Sequence, residues 1–255
     1  MVFITGASSG IGRATALAFA KAGYKVAGTA RREDRLVSLA DEIRTLTGND
    51  DYFLSLVSDV TNADSVQQAA QKTVTHYGRL DVLVANAGVG HRGSLVDAEW
   101  DGIETLLRTN IDGVLHSVRA CVPHMPKNGD GHIMTISSVA YNLVSPYAAS
   151  YAASKAFVTS IANSLRIELA KDNIHVTDFL VGRTETEFNE KRLGDGARSS
   201  SSLPNMTPEM VADAIVKAAE KPKNTVILRF LDRLIVWGNR FIPGIIGELA
   251  KRQYK

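Results

Sequence analysis

The chain has 255 residues, long enough to bury a sizeable core and short enough for one α/β domain. A formal charge of +2, with 45% hydrophobic and 22% charged residues, is ordinary for a globular protein and argues against a nucleic-acid partner. The one cysteine, Cys121, excludes an intrachain disulfide and a multi-cysteine zinc site, fits a reducing compartment, and leaves no metal to be expected.

Short β-branched runs alternate with longer helical patterns. Val2 to Thr5 reads as a strand with no basic region before it, so no signal peptide is expected. A helix over Ile11 to Lys21 follows, then a strand over Lys25 to Ala30 and a helix over Arg35 to Leu46. Phe53 to Val57 and Asp81 to Ala85 are further strands, separated by a helix over Asp64 to Tyr77. Helical pattern runs from Trp100 to Val122, strand from His132 to Ile136, helix from Tyr147 to Ala170, and strand from Ile174 to Leu180. Such alternation implies right-handed crossovers, a parallel sheet and a crevice at the carboxyl ends of its strands. Residues 182–205, rich in Gly, Ser, Arg and Glu, break the rhythm and read as a lid at that crevice. No stretch is apolar for the ~18 residues of a membrane span.

The first strand runs into Thr5-Gly6-Ala7-Ser8-Ser9-Gly10-Ile11-Gly12. Gly6 and Gly10 allow backbone geometry that a Cβ hinders, and Gly12 lets the helix approach the sheet. With free N–H groups and a helix N-terminus beside it, the loop suits a pyrophosphate, and Gly6, Ser8, Ser9, Gly10, Ile11 and Gly12 are its expected contacts. The second strand ends Gly28-Thr29-Ala30-Arg31-Arg32, with no acid at its tip to take a ribose 2′-hydroxyl. Arg31 and Arg32 are instead expected to hold a 2′-phosphate, with Arg31 the main carrier, so the expected cofactor is NADP(H). Both being solvated loop charges is the competing reading.

In Tyr151-Ala152-Ala153-Ser154-Lys155, residues four apart on a helix share a face. A nearby ammonium favours tyrosinate, which suits Tyr151 to exchange a proton with a substrate oxygen. Tyr-Ala-Ala-Ser occurs twice in succession, yet only Tyr151 among the tyrosines has Lys at that offset, so Tyr147 is expected to be a wall or packing residue.

Thr-Gly-x-x-x-Gly-x-Gly together with Tyr-x-x-x-Lys resembles the short-chain dehydrogenase/reductase family, over roughly residues 1–229. The expected fold is α/β, a single Rossmann-like doubly wound parallel sheet of about seven strands with helices on both faces. The resemblance implies that Ser138, thirteen residues before Tyr151, is the catalytic serine, donating to the substrate carbonyl. It implies that Asn110 anchors a water near Lys155, and that Lys155 also bonds the cofactor ribose. Asp59-Val60 then meets the adenine, Asn86-Ala87-Gly88 matches most of Asn-Asn-Ala-Gly, and Thr186 contacts the cofactor amide. For Asn86 a purely structural tie between strand ends stays open. Departures are Ala85 for the first Asn, Val181-Gly182 for Pro-Gly, and a missing Gly-rich segment after the seventh strand.

The expected activity is hydride transfer between the nicotinamide and a ketone or secondary alcohol, with Tyr151 as general acid/base. The alternative is a non-catalytic NADP-binding regulator on the same fold. Val139, Ala140, Tyr141, Leu143, His91, Arg92 and Phe188 are candidate pocket residues and suggest a small, mostly apolar carbonyl or alcohol substrate. A homodimer or homotetramer in the cytoplasm is expected. The tail, residues 226–255, carries six Lys or Arg against Asp232 and Glu248, a local charge of +4 by subtraction. It reads as two short helices broken at Pro243-Gly244. Packing on its own domain, a subunit interface, and peripheral contact with an anionic membrane surface stay open for it.

Overall fold

The computed structural model describes residues 1–126, 131–196, 205–244 and 248. Seven strands form one parallel sheet: β1 (Val2–Thr5), β2 (Val26–Ala30), β3 (Phe53–Val57), β4 (Val82–Ala85), β5 (His132–Ser138), β6 (His175–Val181) and β7 (Thr225–Val226). Their order is β3-β2-β1-β4-β5-β6-β7, so the strand order reverses between β1 and β4. Crossovers leaving in opposite directions there open a crevice at the carboxyl ends.

The eight helices among the described residues are α1 (Gly10–Lys21), α2 (Glu33–Thr47), α3 (Ala63–Tyr77), α4 (Trp100–Leu107), α5 (Gly113–Cys121), α6 (Ala149–Glu168), α7 (Pro208–Glu220) and α8 (Phe230–Phe241). Side chains alternate across a strand, so β1 feeds two cores. Val2 and Ile4 pack with Phe19, Leu36, Leu39, Ile43, Val211 and Ile215, which come from α1, α2 and α7. Phe3 faces the other way, onto Val66, Val114, Val118, Val158 and Ala162 of α3, α5 and α6. Both faces being covered explains the continuous apolar run of β1. Phe3 has no exposed surface, and full burial of such a side chain contributes about 1.5–3 kcal/mol.

Local chemistry sets the helix ends. The Asn62 side chain caps α3 by accepting from Ser65 N at 2.9 Å, and Gly78 stops it at φ 76°. Thr207 caps α7 with Pro208 in its first turn.

Three expectations shift. The helical stretch from Trp100 is interrupted by a π-turn at Arg108–Asp112, between α4 and α5. The strand expected to stop at Ile136 continues to Ser138, because the whole of His132–Ser138 pairs with His175–Val181 of β6. Tyr147 stands outside α6 in the left-handed region, φ 58°, and its carbonyl accepts from Gly93 N at 2.8 Å. The described part of the tail contains α8, ending just before Pro243; the expected second helix lies outside the described residues, Gly244 and Glu248 apart. No described helix is long and apolar enough to cross a membrane.

Candidate active site

Between β1 and α1 the chain turns through Gly6 at φ 71° and Gly10 at φ 53°. A Cβ on Gly12 would lie 2.3 Å from the Gly6 carbonyl oxygen, so only glycine closes this turn. Asn86 secures it from β4, its amide donating to the Thr5 carbonyl at 2.9 Å and to the Gly6 carbonyl at 3.3 Å. The backbone N–H groups of Asn86 and Ala87 both donate to the Thr5 hydroxyl at 3.1 Å. The structural tie left open for Asn86 is therefore present.

The two neighbouring arginines diverge. Arg32 reaches back to the loop, where Nη2 donates to Ser8 Oγ at 3.0 Å and Ser9 Oγ at 2.8 Å. Arg31 is largely exposed and faces Asp59 at 3.9 Å. Asp59 also accepts from the Thr61 backbone and hydroxyl, each at 2.9 Å. Val60 is buried against Gly113, and its carbonyl faces His116 Nδ1 at 2.9 Å.

A cavity of about 290 Å³ opens beside the loop, lined by Ser8, Ser9, Gly10, Arg13, Arg35, Ser38 and Glu187. Glu187 draws three cations together: Arg32 at 3.4 Å, Arg35 at 2.5 Å, and Lys191. Hydrogen bonds from Lys191 and then Arg35 hold its carboxyl down to about 2. Thr186, one residue earlier, rests on Gly10, where an added Cβ would stand 3.1 Å from Cγ2. The expected lid is thus tied to the glycine loop. Short bridges pair Thr184 with Met206 and His91 with Leu193, and residues 197–204 lie outside the described residues.

The catalytic candidates converge at the carboxyl ends of β5 and β6. Ser138 ends β5, and its hydroxyl accepts from Ala140 N at 3.2 Å. The Tyr151 phenol lies next to it, carried by α6. Burial pushes that phenol above its ordinary value, and the neighbouring Ser138 hydroxyl works in the opposite direction. Phe188, in the segment expected to form a lid, walls the site, its ring 5.8 Å from that of Tyr151. Lys155, one turn along α6, is buried, with Nζ 6.0 Å from the Tyr151 ring centre and donating to the Ile136 carbonyl at 2.8 Å. Burial lowers its ammonium to about 8, and Asp178 opposes that shift.

Asn110 is wholly buried in the π-turn. Oδ1 accepts from Val89 N at 2.8 Å, while Nδ2 donates to Val89 O at 3.0 Å and Ser154 Oγ at 3.1 Å. Its side chain clamps the segment after β4 onto α6. Gly88, next to that clamp, faces both groups: an added Cβ would be 3.2 Å from Asn110 Oδ1 and 3.6 Å from Lys155 Nζ.

Sequence reasoning missed Asp178, Arg35 and Glu187. Asp178, buried on β6, accepts from Thr135 Oγ1 at 2.7 Å and Thr159 Oγ1 at 2.8 Å. Ser137 joins that network, bonding Thr159 Oγ1 at 2.8 Å and the Lys155 carbonyl at 3.0 Å. A lone acid inside an apolar strand was the available signal. Arg183, beside the crevice, has Nε and Nη1 buried without a hydrogen-bond partner among the described residues.

The model of the short chain dehydrogenase family matches residues 1–195. A 3-oxoacyl-(acyl-carrier-protein) reductase of Thermotoga maritima is 36% identical over 228 residues, covering 88% of this chain and 91% of the relative. An alcohol dehydrogenase from Thermococcus sibiricus, solved with 5-hydroxy-NADP, superposes with a TM-score of 0.80 at 27% identity, covering 89% of this chain and 95% of that one. A 3-ketoacyl-(acyl-carrier-protein) reductase from Brucella melitensis, solved with NADH, gives 0.77 at 26% identity, covering 88% and 93%.

Proposed function

The chain belongs to the short chain dehydrogenase family of oxidoreductases, and from that premise we propose that it is an NADP(H)-dependent enzyme moving a hydride between the nicotinamide and a ketone or secondary alcohol. The observation that carries the reading is the buried Lys155 ammonium, 6.0 Å from the Tyr151 ring and bonded to the Ile136 carbonyl two residues before Ser138. A phenol that shares a helix face with a buried ammonium and lies next to a hydroxyl can pass its proton to a substrate oxygen bound there.

The glycine loop fits a dinucleotide, since a Cβ at Gly6 would lie 2.9 Å from Ala87 Cα and the turn holds its N–H groups open at the start of α1. Gly6, Ser8, Ser9, Gly10, Ile11 and Gly12 would hold the pyrophosphate. Asp59 and Val60 would meet the adenine, and Ala87, Gly88 and Thr186 would contact the nicotinamide half. When bound, the nicotinamide supplies or accepts the hydride. Ser138 donates to the substrate oxygen and stabilises the charge that develops on it. Tyr151 holds the exchangeable proton. Lys155, about 8 and so mostly charged at neutral pH, keeps a positive charge 6.0 Å from the Tyr151 ring and offers donors to the ribose. Asn110 is a positioning residue for the loop that faces Lys155.

Preference for the 2′-phosphate rests on Arg32 and Arg35 at the loop rather than on Arg31, whose side chain is turned outward. An apolar substrate is supported by Phe188 against Tyr151 and by the residues after Ser138. Exposed Leu95, Val96 and Trp100 near the start of α4 support a homodimer or homotetramer. The buried, unpaired thiol of Cys121 supports a cytoplasmic location. The experiment is a cofactor-oxidation screen with NADPH and NADH over steroids, sugars, acyl ketones and aromatic aldehydes. No turnover on any carbonyl class would overturn the proposal.

A further inference from the structure

Helix α8 is amphipathic with its sides reversed. The side turned to the protein is partly polar. Asp232, Val236 and Asn239 are buried. Asp232 accepts from Arg229 Nε at 2.8 Å and Nη2 at 2.7 Å, and its Oδ2 sits against Gly182 at the end of β6. Asn142, in the turn after Ser138, donates to the Val236 carbonyl at 3.3 Å and accepts from the Asn239 amide. Hydrogen bonds, not an apolar seam, fasten this helix beside the crevice.

The side turned outward is apolar. Phe230 is 71% exposed, Leu234 52%, Trp237 70% and Phe241 66%. Steps of four, three and four residues bring these four side chains onto one face. Leu231 and Ile242 widen the strip, and the Trp237 and Phe241 rings lie 5.4 Å apart. Arg233 and Arg240, seven residues apart, are exposed along one flank. The only acid of the helix, Asp232, is on the buried side. The outer surface of α8 is therefore apolar and cationic.

A strip of this kind is seldom left bare on a free protein. Charge decides what covers it. A second copy meeting α8 across a two-fold axis would bring Arg233 and Arg240 against the same strip. Nothing acidic on the outer side of the helix would answer them, and like charges brought together cost affinity. An anionic lipid surface accepts both arginines, takes the aromatic rings at headgroup level, and buries the apolar face. Lys251, Arg252 and Lys255 follow in the sequence with the same sign.

We propose that α8 is an interfacial helix that lays its Phe230-Leu234-Trp237-Phe241 face into the headgroup boundary of an anionic bilayer. With twelve residues it is about 18 Å long at 1.5 Å per residue, too short to span and suited to lie flat. Because α8 is fastened to the turn after Ser138, docking sets the crevice beside the lipid surface. The proposal is independent of hydride transfer, since it is read without turnover.

The full chain is sedimented with vesicles of equal parts phosphatidylcholine and phosphatidylglycerol, and with vesicles of phosphatidylcholine alone. Binding is expected to the mixed vesicles, weaker to the neutral ones, and reduced by salt. Arg233→Gln with Arg240→Gln lowers the affinity roughly fivefold per charge. Trp237→Ser with Phe241→Ser abolishes it, and circular dichroism and cofactor binding verify that this exposed pair leaves the fold intact. The chain has two tryptophans, so Trp100→Phe leaves Trp237 as the sole indole, whose emission moves to shorter wavelength on the mixed vesicles. Failure to sediment with unchanged emission overturns the proposal. So does a dimer, seen by light scattering, that the Trp237/Phe241 variant turns into a monomer while vesicles bind neither form; the strip is then a contact between copies.

Discussion

The Lys155 ammonium donates to the carbonyl of Ile136 at 2.8 Å, two residues before Ser138 on the same strand. One hydrogen bond thus fixes the amine relative to the hydroxyl at the end of β5, and α6 carries Tyr151 one turn away. Serine and lysine are each held by a backbone group, Ala140 N and the Ile136 carbonyl.

Tyr151→Phe should remove most turnover and leave NADPH binding nearly unchanged. The substitution keeps the ring contact with Phe188 at 5.8 Å and deletes only the transferable proton. General acid help is worth roughly 100- to 10,000-fold. Steady-state kinetics with a cofactor titration checks it. A variant that keeps the wild-type rate would mean that another group supplies the proton.

Lys155 makes stability depend on pH. Its folded value of about 8 lies below the 10.5 of an ordinary lysine. Between these values the unfolded chain binds more protons, so stability rises with pH and is lost as pH falls through 8. The full difference amounts to about 3 kcal/mol for this buried group. Thermal melts of wild type and Lys155→Met over roughly pH 7 to 10 give the contribution by difference. Wild type should gain on the variant as pH rises; a constant difference would place the amine in a wetter setting.

Much of this was legible in the sequence because β-branched runs buried on both faces leave an unbroken apolar signature, as in Val2-Phe3-Ile4. Gly6, Gly10, Ser138, Tyr151 and Lys155 could be located because each follows a strand end or shares a helix turn. What stayed hidden depends on distant partners. Arg31 and Arg32 are adjacent and alike, and which one turns to the loop depends on where α2 begins, at Glu33. Asp178 meets Thr135 and Thr159 from positions 43 and 19 residues away, a separation that no local pattern encodes. The outward apolar face of α8 could be listed from sequence, but its direction required the polar contacts of Asp232 and Asn239.

Preference for NADPH over NADH should fall with Arg32→Ala and Arg35→Ala, and much less with Arg31→Ala. Arg32 and Arg35 already face an anion, Glu187, beside the glycine loop, whereas Arg31 is turned to Asp59. A charged hydrogen bond is worth roughly ten- to a hundredfold in affinity. Titrating both cofactors into the three variants decides it. Equal affinities for the two cofactors in wild type would leave these arginines as partners of Glu187 alone.

Residues 186–196 should become more protected from hydrogen exchange when NADPH binds, as expected of a lid. Glu187→Gln should lower their protection without cofactor, because it removes the carboxylate that gathers Arg32, Arg35 and Lys191. Mass-spectrometric exchange of wild type and variant, with and without cofactor, tests both statements. Protection that is high and unchanged in all four samples would make the segment a rigid wall.

Asp178 should set the alkaline limit of activity without touching the substrate. Burial raises its carboxyl above the ordinary value, while hydrogen bonds from Thr135 and Thr159 oppose that rise and keep charge on it. The same charge holds up Lys155, which burial alone would lower further. Asp178→Asn removes the charge and keeps the shape. Its amide oxygen can still accept from one threonine, but its NH2 group then meets the hydroxyl of the other, which must turn to receive it. Leaving one buried group poorly paired costs about 1–3 kcal/mol, and the melting temperature should fall accordingly. Lys155 should lose its proton at a lower pH, so the alkaline limb of kcat/KM for carbonyl reduction should move down while the rate near pH 6, taken as roughly one unit below neutrality, changes less. The pH profile separates this positioning role from a merely structural one. A variant that melts lower with its alkaline limb unmoved would show that Asp178 holds β5, β6 and α6 together and does nothing for the charge of Lys155.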